Sequence, residues 1–343
     1  MLRGSDGRRR DGADGTVLSY LVTGYLFVGG SAAGLLVVLS ALSLAEARRV
    51  RAADPSVDVR RLWATGARFP HPAGAAHAGG LAVPRSYRLA AWIVCFGLFA
   101  LASCLLAADL GRFDRVALLV VSPAPSAIAV GFYALACAAA IAGAQAALAL
   151  RERTRMRPRL AFALGILGLA AGAVTAVYTG VLLSGMASVL AWQTPLVPLL
   201  FAVSSLSCGC AIAAALAALL DGERGTAPLV GGVLLIDRVL LLVEGALVAA
   251  FAAWLLAHDG TRTAAEALFA GDLAPWFWAG LAAVGIAAPL AAECTFRKRA
   301  PGVLIAASGC VLAGGALLRW LVVQLGQYDV AAEAFRLATP LLS

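Results

Sequence analysis

The stretch Tyr178-Thr179-Gly180-Val181-Leu182-Leu183-Ser184, continued by Trp192-Gln193-Thr194-Pro195-Leu196-Val197-Pro198-Leu199-Leu200-Phe201, ends one long apolar segment, crosses a connection without a charged residue and begins another. Moving outward in both directions, the same pattern repeats. Apolar segments run at Val17 to Leu44, Leu89 to Leu110, Ser126 to Leu150, Leu160 to Ala187, Leu196 to Leu220, Leu229 to Ala257, Pro275 to Ala292, and Val303 to Leu325, separated by Arg, Pro or Gly clusters. A bilayer core of about 30 Å takes about 20 apolar residues per helix. The sequence therefore predicts an all-α polytopic membrane protein with eight transmembrane helices in two four-helix bundles. The expected units are a polar N-terminal tail (1–16), a first bundle (17–187), a second bundle (188–325) and a C-terminal tail (326–343). Composition agrees: the 343 residues are 62% hydrophobic and only 13% charged, with a mean hydropathy of +0.88, far outside the soluble globular range. The first segment is too long for a signal-peptide core, and Arg8-Arg9-Arg10-Asp11 lacks the apolar residues of a twin-arginine signal, so it is read as a retained helix.

The net charge of +8 follows the connections between spans and is not a nucleic-acid footprint. Eight Arg (Arg48, Arg49, Arg51, Arg60, Arg61, Arg68, Arg85, Arg88) follow the first span and five (Arg151, Arg153, Arg155, Arg157, Arg159) the third. Arg224 follows the fifth, and Arg297, Lys298 and Arg299 the seventh. The opposite side holds Arg112, Arg115, Arg262 and Arg336, besides four Arg in the N-terminal tail. The positive-inside rule makes the richer side cytoplasmic and places both termini outside, in a cell inner (cytoplasmic) membrane.

Seven cysteines lie in or at the ends of apolar segments with no CxxC pair, so they read as small buried hydrophobes. His71, His77 and His258 all fall in connections or at a helix end, which leaves no facing pair of axial ligands for an intramembrane haem. The expectation is a protein that binds no haem or metal of its own.

Polar groups within the spans carry the remaining information, because an ionisable group in hydrocarbon is costly and marks function by default. Tyr178 lies about 12 Å below the end of the fourth span at 1.5 Å per residue. Tyr25 comes to a similar depth on the first, where it serves either packing or a ligand. Asp109 closes the second span and forms either a functional acid or an i,i+3 surface pair with Arg112. By depth alone, two phenols and one carboxylate converge near the outer face. Asp237 and Glu244, one heptad apart on one face of the sixth span, read as stepping stones for protons or as an internal ion pair with Arg238. Arg319 lies within snorkelling reach of the outer interface, where a structural role is as good a reading as any other. Gly30 and Gly34 form a small-xxx-small spacing for close helix approach.

Taken in order, these motifs resemble one family, the NrfD or polysulfide-reductase-type membrane subunit. The matching pieces are Tyr25-Leu26-Phe27-Val28-Gly29-Gly30-Ser31-Ala32-Ala33-Gly34, Asp109-Leu110-Gly111-Arg112 with Ser122-Pro123, and Tyr178-Thr179-Gly180-Val181-Leu182-Leu183-Ser184. Later come Pro198-Leu199-Leu200-Phe201 with Ser204-Ser205-Leu206-Ser207, then Gly314-Gly315-Ala316-Leu317-Leu318-Arg319 with Gly326-Gln327. The resemblance implies an integral subunit that exchanges electrons between a membrane quinone, menaquinone above all, and a four-cluster ferredoxin-like iron–sulfur subunit serving a molybdopterin catalytic subunit. It implies a quinone pocket in the first bundle near the outer face, with Tyr178 bonding one carbonyl and Asp109 as the acid of the second span. Tyr25 stands where some relatives place a histidine.

The chemistry points to the same region: oxidising a quinol needs an apolar slot, a donor at each carbonyl and a group that passes protons. Tyr178 and Tyr25 can donate, Asp109 can accept a proton, and Arg112 can hold that acid ionised or grip a partner. Two other classes stay open. A secondary transporter would use Asp237, Arg238 and Glu244 for a coupled proton or anion, and a structural anchor would merely tether a soluble enzyme.

Overall fold

A computed structural model describes residues 11–53, 83–110, 127–151, 158–186, 189–220, 227–295 and 300–338. Its helices are α1 (Asp11–Ala53), α2 (Arg85–Leu110), α3 (Ala127–Leu150), α4 (Pro158–Ser184), α5 (Leu196–Leu220), α6 (Ala227–Ala257), a short α7 (Arg262–Phe269), α8 (Ala288–Thr295) and α9 (Pro301–Ala338). A π-helical segment, Trp276–Ala287, runs into α8. Among the described residues there is no strand. The N-terminal tail up to residue 10, Arg112 and most of the Arg-rich connections lie outside the described residues.

Seven helices, α1 to α6 and α9, are long and apolar enough to cross a bilayer, so this is a multi-pass membrane protein. The segment expected as the seventh span is a shorter apolar helix, Trp276–Ala292. Its wide i→i+5 turns set Gly285 directly against Gly314 of α9. Its first turn presents the exposed Trp276 and Trp278, and Trp276 meets Trp320 edge-on at 5.7 Å. Rings of this kind suit the level of lipid headgroups.

Two helices form the centre. In α1 and α5, 61% of the most apolar window is buried, against 28% in each of the other five membrane-length helices. Helix α1 packs on α2, α4, α5 and α9, whereas α5 packs on α4, α6 and α9 as well as α1. Lipid tails are as apolar as leucine, so helices in a membrane associate through close packing and hydrogen bonds, not water exclusion. Small residues make the closeness possible. Along α4, Gly165, Gly168 and Gly172 sit one turn apart and receive Leu44, Ser40 and Val37 of α1 in turn. Between α1 and α5 the approach is backbone to backbone. A Cβ on Gly34 would fall on the Ser205 carbonyl, and one on Gly209 on the Gly34 backbone.

The connection from α4 to α5 is fixed by two further contacts. Gly180 lies against the backbone of Pro198, and the Trp192 indole N–H, on a turn of 3₁₀ helix, donates to the Val322 carbonyl of α9 at 2.7 Å. Gly326 leaves the space in which that indole ring rests.

Gly209→Val is expected to force α1 and α5 apart and cost about 1–3 kcal/mol through overpacking, read as a lowered melting midpoint of the detergent-solubilised protein. Gly232→Ala, where the added methyl meets open space, should leave the midpoint unchanged or raise it, since alanine favours a helix interior by up to about 1 kcal/mol.

Candidate functional site: a phenol pair, an acid and a buried arginine

Tyr25, Tyr178 and Asp109 come together at the end of the molecule where α1 begins. Helix α2 runs antiparallel to α1, with Ala102 beside Gly29 and Leu105 beside Gly24. Asp109 is one turn further along the same α2 face, which brings it level with the start of the α1 apolar segment. On α4 the glycine row faces α1, and Tyr178 projects off that row toward α3. Its ring lies over the Gly131 backbone, in the space a Cβ there would fill. The Tyr25 phenol lies within electrostatic range of the Tyr178 phenol and the Asp109 carboxylate, so the three groups share one neighbourhood. All three are half-buried. Asp109 Oδ1 is buried and accepts no hydrogen bond among the described residues, an orphaned acceptor of the kind that a ligand hydroxyl satisfies.

The second polar centre overturns one sequence expectation. Arg319 does not snorkel to an interface; it is 0% exposed and lies in the middle of the packed helices. Its Nη1 donates to the Gly315 carbonyl at 2.8 Å and to Ser204 Oγ at 3.3 Å, and its Nη2 to Ser205 Oγ at 2.8 Å. The rings of Phe27 and Phe201 lie 5.9 and 5.4 Å from the guanidinium carbon. The position is made by α1: a Cβ on Gly30 would come within 2.6 Å of Nη2 and 2.8 Å of Ser205 Oγ. Depth along α9 suggested snorkelling, but the side chain turns inward because α5 offers hydroxyls and carbonyls that lipid does not.

Ser204 joins this arginine to an acid. Its hydroxyl is hydrogen-bonded to the Glu244 carboxylate, which feels the Arg319 charge. Glu244 is 4% and Asp237 3% exposed. Both lie on the buried stripe of α6 that includes Val230, Leu234, Leu241, Val248, Phe251 and Leu255. Asp237 Oδ1 accepts from Ser207 Oγ at 2.7 Å. Asp237 and Arg238 also line a cavity of about 230 Å³ between α6, α8 and α9, with Gly231 and Ser308 among its walls. Across α5, then, Ser204, Ser205 and Ser207 place a hydroxyl against each buried charged group. Among the described residues no group of three or more His, Cys, Asp or Glu could hold a metal ion.

Sequence reasoning singled out the phenols and acids but missed Gly131, Gly30 and the Ser204–Ser205–Ser207 row as parts of these centres. The only prior signal was the run Ser204-Ser205-Leu206-Ser207 inside an apolar segment. Arg319→Leu strands Glu244 in the interior and should cost about 3–5 kcal/mol, whereas Arg319→Leu with Glu244→Leu should recover a large part. A thermal or chemical unfolding cycle in detergent reads the coupling, and strictly additive losses would show that Ser204 does not link the two.

Comparison with known proteins agrees with this architecture. Residues 76–331 match the family described as Polysulphide reductase, NrfD. Protein NrfD of Escherichia coli (strain K12) is 32% identical over 160 residues, 45% of this chain and 49% of that protein. The C subunit of the Wolinella succinogenes polysulfide reductase is 32% identical over 155 residues, 44% of this chain and 49% of that protein. The alignments thus span about half the length of these curated relatives. With most of its membrane-embedded length matched by the family, the chain belongs to the polysulphide reductase NrfD family of integral membrane proteins.

Proposed function

We infer that this protein is the quinone-reactive membrane subunit of a multi-subunit respiratory oxidoreductase. The observation that carries the reading is the clustering of Tyr25, Tyr178 and Asp109, whose buried Oδ1 accepts no hydrogen bond among the described residues, at one end of the helices, in a member of this family. Tyr178 and Tyr25 are the donors to the two carbonyl oxygens of menaquinone or another quinone. Asp109 takes the proton released when quinol is oxidised, and Arg112, three residues on in the sequence, is the proposed counter-charge. A quinone supplies the two-electron chemistry; the protein supplies hydrogen bonds, an apolar surround and a proton acceptor.

In this reading the spans form two four-helix bundles, the first over residues 17–187 and the second over 188–325, with the short helix Trp276–Ala292 as a member of the second. Both termini face outward from the cytoplasmic membrane, and so does the phenol–carboxylate cluster. Electrons pass to or from a four-cluster ferredoxin-like iron–sulfur subunit, which serves a molybdopterin catalytic subunit; the name of one relative, a component of polysulfide reductase, is in keeping with such an assembly. Asp237, Glu244 and the Arg319 centre are the groups of the second bundle suited to proton movement, with Arg238 supporting them in the cavity lining.

That cavity, holding both an acid and an arginine between α6, α8 and α9, is also the one observation that favours a proton- or anion-coupled secondary transporter. Tyr178→Phe separates the two. Quinol-dependent electron transfer by the intact complex should fall by about 10² or more, the scale of losing a positioned hydrogen bond or proton-transfer group, with subunit assembly unchanged. A transporter or a passive anchor would show undiminished electron transfer in that variant.

Asp109→Asn should slow quinol oxidation more at neutral than at acidic pH. The sign follows from its role as base: at neutral pH the carboxylate is available to take a proton, whereas in acid the native side chain is itself protonated and resembles the amide. Equal slowing across the pH range would remove Asp109 from proton transfer.

A further inference from the structure

We propose that Gly131 of α3 is the positioning residue for the Tyr178 hydroxyl, an inference that rests on the quinone reading of that tyrosine. The seat is specific. At Gly34 and Gly209 the atoms that fill the Cβ space are backbone of a neighbouring helix, which is plain packing. Single side chains also fill the space at Gly143, Gly165, Gly280 and Gly326, but at Gly131 that side chain is a phenol: the three nearest atoms are two ring carbons of Tyr178 and its hydroxyl oxygen. Several glycines of the spans, Gly97 and Gly232 among them, have no atom within 4 Å of such a Cβ, so a missing side chain on these helices is not in itself a mark of contact.

A tyrosine on a helix has two accessible χ1 wells, and its ring swings through a whole rotamer step between them. Tyr178 is only half-buried, so lipid on one side does little to choose between the wells. The notch at Gly131 makes the choice: with no Cβ in the way, the ring and its hydroxyl rest against α3, and in that position the phenol stays within electrostatic range of Tyr25. Any larger residue occupies that space and turns the phenol out of it. Gly131 touches no reacting group; it acts through Tyr178 alone, and fixes where a ring carbonyl must sit to receive the phenol.

The test uses the assembled membrane complex with its quinol substrate, and a 3-fluorotyrosine-labelled sample in which the Tyr178 resonance is assigned by its loss in Tyr178→Phe. Gly131→Ala should move that fluorine resonance and slow quinol turnover, by about 10² for a displacement on the order of 1 Å. It should add no further loss when combined with Tyr178→Phe, whereas Gly97→Ala should leave turnover and resonance as they are. An unmoved resonance, or the same slowing with and without the Tyr178 hydroxyl, overturns the proposal. If Tyr178→Phe itself keeps full turnover, the quinone reading is what fails, and the resonance still decides for or against the seat. Should Gly131→Ala fail to accumulate, Gly131→Ala with Tyr178→Leu decides: restored accumulation upholds the clash, and continued absence overturns it.

Discussion

No side chain separates α1 from α5 where they cross at Gly34 and Gly209, and the interior arrangement of the molecule follows from that closeness. With the two backbones in contact, the hydroxyls of Ser204 and Ser205 and the carbonyl of Phe201 are held at the seam between α1, α5 and α9. That seam is the polar surface which admits a guanidinium into a region otherwise built of leucine, alanine and phenylalanine. Hydrocarbon offers no hydrogen bonds, so each polar group inside must be satisfied by protein. Both terminal nitrogens of Arg319 meet this condition, with two serines, two carbonyls and two aromatic rings around the guanidinium, while its buried Nε finds no acceptor among the described residues.

The two polar centres differ in a way that matters for their roles. The arginine centre is enclosed and largely hydrogen-bonded, with its acid held at one remove through Ser204. The phenol–carboxylate cluster is half-exposed and retains an acceptor without a donor. The first has the character of a fixed structural charge; the second has the character of a place where a ligand completes the bonding. They are close along the sequence of α1, since Tyr25 and Gly30 are five residues apart on one helix, which at 1.5 Å per residue is about 7.5 Å of rise.

Much of this was legible in the residues. Span positions follow from runs of apolar side chains, and the acids of α6 declare themselves because Asp237 and Glu244 repeat with the period of the buried stripe. The similar depth of Tyr25 and Tyr178, and the place of Asp109 at the outer end of its span, could be read by counting residues from a helix end. Rotation about the helix axis is a different quantity. A window of nearly uniform hydrophobicity carries little information about which side faces protein, and α4 and α5 are of this kind. Hence the inward turn of Arg319 and the seating of Tyr178 on Gly131 could not be counted out; both depend on which neighbour lies across the gap. The π-helical winding at Trp276–Ala287 was not legible for a related reason: composition measures whether a stretch is greasy, not how tightly it winds.

The placement of Arg319 also constrains how the protein is made. Its hydrogen-bond partners Phe201, Ser204, Ser205 and Gly315 all precede it, so the nascent polypeptide leaves the ribosome with every acceptor installed before the cation arrives. Glu244 therefore enters the bilayer ahead of its counter-charge, with the serine hydroxyl of the preceding helix as its interim companion. An arginine costs about 2.5–3.5 kcal/mol to insert at mid-helix through the translocon, and here it is delivered to a waiting acceptor shell. Completion of α9 is the moment at which Glu244 gains its counter-charge, and a polypeptide halted before it would present cellular quality control with that acid uncompensated.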